Sequence, residues 1–244
     1  MNKVIILILA SLSAMLTQSC NDEDVIPFKD TFDPDYNVLI NPDNFVNTID
    51  NSFLPLIAGS TFTYIGETED GTERVEIEVL TETKIVSGIT CTVVLDRAYL
   101  NNELIEETYD WFAQDIHGNV WYFGEHVDNY INGVVANHDG SWETGVDGAE
   151  PGFVMLGNPL IGLHYRQEFY RGEAEDRGEV VSTNETVTVA AGTFTNCIKI
   201  RETNALDPDF LEFKYYAPGV GQVKVEVIDE PVEIEELTAF DING

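Results

Sequence analysis

The sequence predicts an all-β protein, an antiparallel, internally duplicated meander that forms a barrel, a half-barrel or a strongly curved sheet. Three observations predict it. Apolar and charged residues alternate with the period of a half-buried strand, as in Val75-Glu76-Ile77-Glu78-Val79, Phe213-Lys214-Tyr215 and Val223-Lys224-Val225-Glu226-Val227. Turn signals separate such runs at Asp70-Gly71, Ser87-Gly88, His117-Gly118-Asn119, Ala191-Gly192 and Pro218-Gly219. Short segments of the first half also recur, in order, in the second half at an offset of about 104 residues. Strands at this spacing indicate a sandwich, barrel or curved sheet, and closure leaves few exposed edges.

The elements follow in chain order. Lys3 precedes a short apolar run beginning Val4-Ile5-Ile6-Leu7, and the run ends at Ser19 just before Cys20. It is shorter than the roughly 20 residues that span a bilayer, so residues 1–19 read as a signal peptide. A Cys directly after the cut resembles the acylated N-terminus of bacterial lipoproteins, which makes Cys20 the lipidation site. The acidic run Asn21-Asp22-Glu23-Asp24 looks like the surface-export signal of lipoproteins from the Bacteroides and Flavobacterium lineage. Residues 20–54 read as a lipidated Cys and tether, with room for a short helix around Asp43–Asn51, where Phe45, Val46 and Ile49 would share a face.

Residues 55–244 read as one β domain holding the two copies, about 55–123 and 159–228. Pro55-Leu56-Ile57 matches Pro159-Leu160-Ile161, and Gly66-Glu67 matches Gly172-Glu173. Glu82-Thr83 matches Glu185-Thr186, and Trp111-Phe112-Ala113 matches Tyr215-Tyr216-Ala217. The bridge, 124–158, suggests a hairpin over Asn129–Val135 followed by a Gly-rich loop from Gly140 to Gly152. A long irregular connection in a compact domain tends to be functional or disordered, which makes the bridge the first place to seek a site.

The formal net charge of −32 argues against nucleic-acid and anionic-lipid partners, which need basic patches, and leaves membrane contact to the lipid anchor. An acidic face is first of all a soluble one. The sharper expectation is a calcium site drawing on Glu143, Asp147, Glu168, Glu175 and Asp176, since calcium takes six to eight oxygens and extracellular sites use it. Trp111, Trp121 and Trp142 offer either core packing or a ligand surface for a glycan or an apolar small molecule. Cys91 and Cys197 hold equivalent places in the two copies, so they are either a disulfide or two buried thiols. The four histidines, His117, His126, His138 and His164, form no metal-binding motif, and no nucleophile elbow or phosphate loop is present.

Thr108-Tyr109-Asp110-Trp111-Phe112-Ala113-Gln114-Asp115, Gly118-Asn119-Val120-Trp121-Tyr122-Phe123-Gly124-Glu125 and Tyr215-Tyr216-Ala217-Pro218-Gly219-Val220-Gly221 resemble motifs of a widespread group of bacterial exported, lipoprotein-type proteins. The resemblance covers most of residues 50–228 and implies export and a shared β fold, with no activity attached. More loosely, the pattern resembles periplasmic lipoprotein carriers and lipocalin-like folds. The sequence therefore reads as a cell-envelope lipoprotein, at the outer membrane or cell surface, acting as a binding module for a small-molecule, glycan or protein ligand. The alternatives are a hydrolase acting on a glycan and a purely structural envelope protein.

Overall fold

The computed structural model describes residues 36–228 and 232–243; the expected signal peptide, Cys20 and the first part of the tether lie outside them. Among the described residues no α-helix occurs. The segment around Asp43–Asn51 is a 3-10 turn, Pro42–Asn44, followed by β1 (Phe45–Val46) and β2 (Ile49–Asn51), which pairs with β3 (Leu54–Leu56). The expected helix does not form because Phe45 and Ile49 pack into different core clusters. Asn51 then turns the chain, its Oδ1 accepting from the amides of Phe53 and Leu54. From Tyr36 onward the chain lies against the barrel, where the Tyr36 hydroxyl donates to the Pro151 carbonyl at 2.9 Å.

Five strands form the first meander: β4 (Thr61–Thr68), β5 (Gly71–Val86), β6 (Ile89–Leu100), β7 (Glu103–Asp115) and β8 (Val120–Ile131). The Asp115–Asn119 turn between β7 and β8 is built on one side chain. The Asp115 carboxylate accepts from the amides of His117 and Asn119, from Asn119 Nδ2 and from Trp121 Nε1, at 2.8–3.0 Å.

The bridge is more regular than the sequence suggested. It contains β9 (Val134–Asn137), β10 (Trp142–Glu143) and β11 (Glu150–Met155), all paired with β8. The β8–β9 hairpin turns at Asn132-Gly133, both at positive φ, as a tight two-residue loop requires. β10 can approach because Gly124 sits at φ +127° with the Trp142 carbonyl where a Cβ would be.

The remaining strands are β12 (His164–Arg166), β13 (Glu168–Phe169), β14 (Asp176–Val189), β15 (Gly192–Asn204), β16 (Asp207–Ala217), β17 (Gly221–Val227) and β18 (Glu233–Asp241). The sheet runs β12-β14-β15-β16-β17-β18-β4-β5-β6-β7-β8-β11-β13, with β18 against β4 joining the two halves. Its two edges, β12 and β13, are consecutive in the chain and flank Gln167, so the antiparallel sheet is nearly closed into a barrel with one seam. The main core cluster lines one part of the interior, including Phe62, Tyr64, Val94, Val180, Ile198 and Tyr216. A second cluster, with Val86, Cys91, Trp111 and Phe123, is covered by Ile40 and Phe45.

Candidate functional site

Strand alternation carries the site. Along β7, Glu106, Thr108, Asp110 and Phe112 point into the barrel, while Trp111 belongs to the cluster capped by Phe45 and Tyr109 packs beside it. Along β16, Phe210, Glu212, Lys214 and Tyr216 point inward. Lys199 lies over the rings of Phe213 and Tyr215 at 3.9 and 4.8 Å. The polar face of both strands is thus the interior one. Together they line a cavity of about 330 Å³.

Its lining has two characters. Leu54, Leu56, Phe62, Val75, Ile77 and Val94 belong to the main apolar cluster. Against them stand twelve carboxylates and a single basic side chain among the described residues, Lys214. Lys214 Nζ lies 2.7 Å from Glu202 and 3.0 Å from Glu212, and Gln167 donates to Glu202 at 2.6 Å. Asp110 and Glu125 are cross-strand partners in register, and the Tyr122 hydroxyl donates to Asp110 at 2.6 Å.

One ammonium cannot neutralise this many acids, and burial makes their ionised forms costly. Burial is the first cause that pushes the carboxyls of Asp96, Asp110, Glu125, Glu168 and Asp176 up, with neighbouring acids adding to it. It raises Glu235 to about 8 and Glu73 to about 7. Burial alone would pull the Lys214 ammonium pKa down, but Glu202 and Glu212 outweigh it and raise the pKa. Three buried acceptors of the cavity lining remain without a partner, Glu106 Oε2, Gln167 Oε1 and Glu212 Oε2. The arrangement is a low-dielectric chamber rich in acceptors and protonatable acids.

The five acids expected from the sequence are not gathered in one place. Glu168 and Asp176 line the cavity beside each other, and burial pushes both carboxyls up. Glu143 instead accepts from Lys84 at 2.7 Å. Asp147 is exposed in a turn at φ +50°, and Glu175 accepts from the Gly172 amide. Trp111 and Trp142 are buried, Trp111 beneath Lys84 Nζ at 3.1 Å and Trp142 edge-on to Tyr122. Trp121 is partly buried and tilted against Phe153. Cys91 and Cys197 are not bonded to each other. They are free, buried thiols in separate clusters, which excludes the disulfide alternative and leaves them as small apolar side chains; burial pushes the Cys91 thiol to about 12.

Asp110 and Glu125 stand in strands flanking the bridge, where acids were expected to gather; the carboxylates of Asp96, Glu202 and Glu212 were not singled out by sequence reading, nor was Lys214. One signal was available. Aligning Trp111-Phe112-Ala113 with Tyr215-Tyr216-Ala217 places Asp110 and Lys214 at equivalent positions, and these oppositely charged residues both line the cavity.

No protein-family model matches the sequence, and no curated protein resembles it closely enough to count as a match. Two solved structures resemble the chain. A Bacteroides fragilis protein classed as exported, with a YmcC-like fold, shares 15% identity over 79% of this chain and 100% of its own, at a TM-score of 0.44. A Parabacteroides distasonis protein classed as a lipoprotein shares 14% identity over 78% of this chain and 99% of its own, at a TM-score of 0.37. At these values the architecture rests on the strands of the chain itself.

Proposed function

We propose that the chain is an exported, lipid-anchored envelope protein whose barrel binds a small amphipathic ligand, apolar along its body and cationic or rich in hydrogen-bond donors at its head. The observation that carries this is the cavity lining, apolar residues against twelve carboxylates with Lys214 as the one cation among the described residues. A barrel filled with side chains would have favoured a purely structural role; a cavity of about 330 Å³ is at the lower end of small-molecule sites. Export and anchoring rest on residues 1–24 and Cys20.

Three probes with the same eight-carbon chain test the reading by isothermal titration: octylammonium, octanol and octanoate. Octylammonium should bind at least tenfold tighter than octanoate, and Asp110→Asn with Glu125→Gln should erase the difference. Equal affinities, or no binding by any of the three, would overturn it. Calcium is the second reading, supported by the Glu168–Asp176 pair inside the cavity. A thermal shift with calcium that magnesium and sodium do not reproduce at matched ionic strength would support it. A site of ~0.1–1 mM affinity would add roughly 1.4–2.7 kcal/mol at ~10 mM calcium. Equal shifts with all three salts would exclude it.

A further inference from the structure

On the other face of the barrel wall, the fold brings together side chains that are distant in the sequence. Glu125 lines the cavity and Val127 is buried, so His126 and Asp128, which alternate with them along β8, point outward. The β8–β9 hairpin returns the chain so that His138, just after β9, lies beside them. The return is pinned: Asn129 Nδ2 donates to Asn137 Oδ1 and to the Asp139 carbonyl, and Ser141 Oγ accepts from the Val127 amide at 2.8 Å. His138 Nδ1 comes to 2.8 Å from Asp128 Oδ1, and His126 Nε2 lies 3.5 Å from the same oxygen. The two imidazole rings stack with centroids 5.2 Å apart.

We propose that His126, Asp128 and His138 form a binding site for a divalent transition-metal ion of the zinc class, separate from the interior cavity. Each residue offers one ligand atom, and the three atoms lie within 4.8 Å of one another. Bonds of ~2.0–2.1 Å to a tetrahedral ion place ligand atoms roughly 3.3 Å apart. Asp128 is already within range of both imidazoles; rotation of the two exposed rings would close the difference, with His138 Nδ1 giving up the Val127 carbonyl that lies 3.0 Å from it. The donor set, two imidazoles and one carboxylate with the fourth position left to water, is one zinc accepts and calcium or magnesium does not favour. The net charge of −32 raises the local concentration of any cation. Once bound, the ion would fasten the loop after β9 to β8.

The experiment is equilibrium dialysis of the full chain, made without a histidine tag, against zinc chloride in the presence of excess calcium. Cobalt(II) absorbance serves as a second readout of tetrahedral coordination. One zinc per chain is expected, with a visible cobalt spectrum. The double substitution His126→Ala, His138→Ala should weaken zinc binding more than tenfold and abolish the cobalt bands. Both imidazoles are exposed, and unchanged circular dichroism would show that the fold survives. Glu143→Ala with Asp147→Ala, which removes two acids elsewhere on the bridge, should leave zinc binding intact. Stoichiometric zinc retained by the double histidine variant would overturn the proposal, as would the absence of stoichiometric binding by the native chain.

Discussion

At the scale of single residues, Lys214 holds the interior together. Among the described residues it is the one ammonium paired with Glu202 and Glu212, and removing one partner of a buried ion pair leaves the other charge stranded. Lys214→Met should therefore destabilise the protein by about 3 kcal/mol or more at pH 8. The loss should shrink at pH 6, because burial already pushes the Glu212 carboxyl up and a proton can replace the lost ammonium. Urea unfolding at the two pH values measures this, and an equal loss at both would refute the role. The sequence showed Lys214 within an alternating strand but not the direction in which it points. Phe213-Lys214-Tyr215 looks like a strand with its lysine in water, as does Asp110 beside Trp111. A reader of hydropathy puts the aromatic face inside. Here the aromatic faces are covered by other parts of the chain, Trp111 by the Phe45 cluster and Phe213 and Tyr215 by Lys199, and the polar faces enclose the cavity.

At the scale of elements, the strands and turns were legible because their signals are local. Asn132-Gly133 and the Asp115–Asn119 turn each specify a backbone path within a few residues. The seam was not legible, since it depends on two edge strands meeting after the whole sheet has coiled. Gly152, in β11, shows how close the closure is. A Cβ built there would collide with the Arg166 carbonyl and with Gln167, between the two edge strands. Both contacts are backbone atoms and cannot rotate away. Gly152→Val should therefore cost about 1–3 kcal/mol. The added side chain should also open the seam, so amide exchange should accelerate in β11–β13 before it does in β5–β6. Uniform acceleration across the sheet would argue that the seam is not a local weak point. The same dependence on coiling hid the grouping of the acids. Glu168 and Asp176 are brought together locally, by the short return in which the Gln167 amide donates to the Asp176 carbonyl and Tyr170 pairs with Ala174. Only the coiled sheet sets that pair beside Glu125, Glu202 and Lys214.

At the scale of the whole molecule, the acidic interior sets an unusual dependence on pH. Glu73 and Glu235 have folded-state values raised from 4.5 to about 7 and about 8. Between those limits the folded chain holds protons that the unfolded chain has released, so stability falls as pH rises. Their contribution is fully present below pH 4.5 and is lost as pH climbs through about 7 and then about 8. Surface carboxylates work in a different window. Glu226, for instance, is lowered overall: burial alone would raise it, but hydrogen bonds from Lys224 and Tyr215 and the nearby ammoniums outweigh that, and its contribution is lost only as pH falls below its ordinary range. The melting temperature should thus peak near pH 5 and decline toward pH 8.5. Glu235→Gln, which mimics the protonated acid, should raise stability at pH 8 and flatten the decline. If surface repulsion were the cause, the curve would already be flat above pH 6 and the substitution would leave it unchanged. The same protons connect stability to binding. A cationic ligand entering the cavity replaces them, so octylammonium should bind tighter at pH 8 than at pH 6 and release protons as it does so. Calorimetry in buffers of different ionisation enthalpy counts those protons directly. The largest thermal stabilisation by ligand should fall where the empty barrel is weakest, because ligand binding and proton binding satisfy the same buried carboxylates.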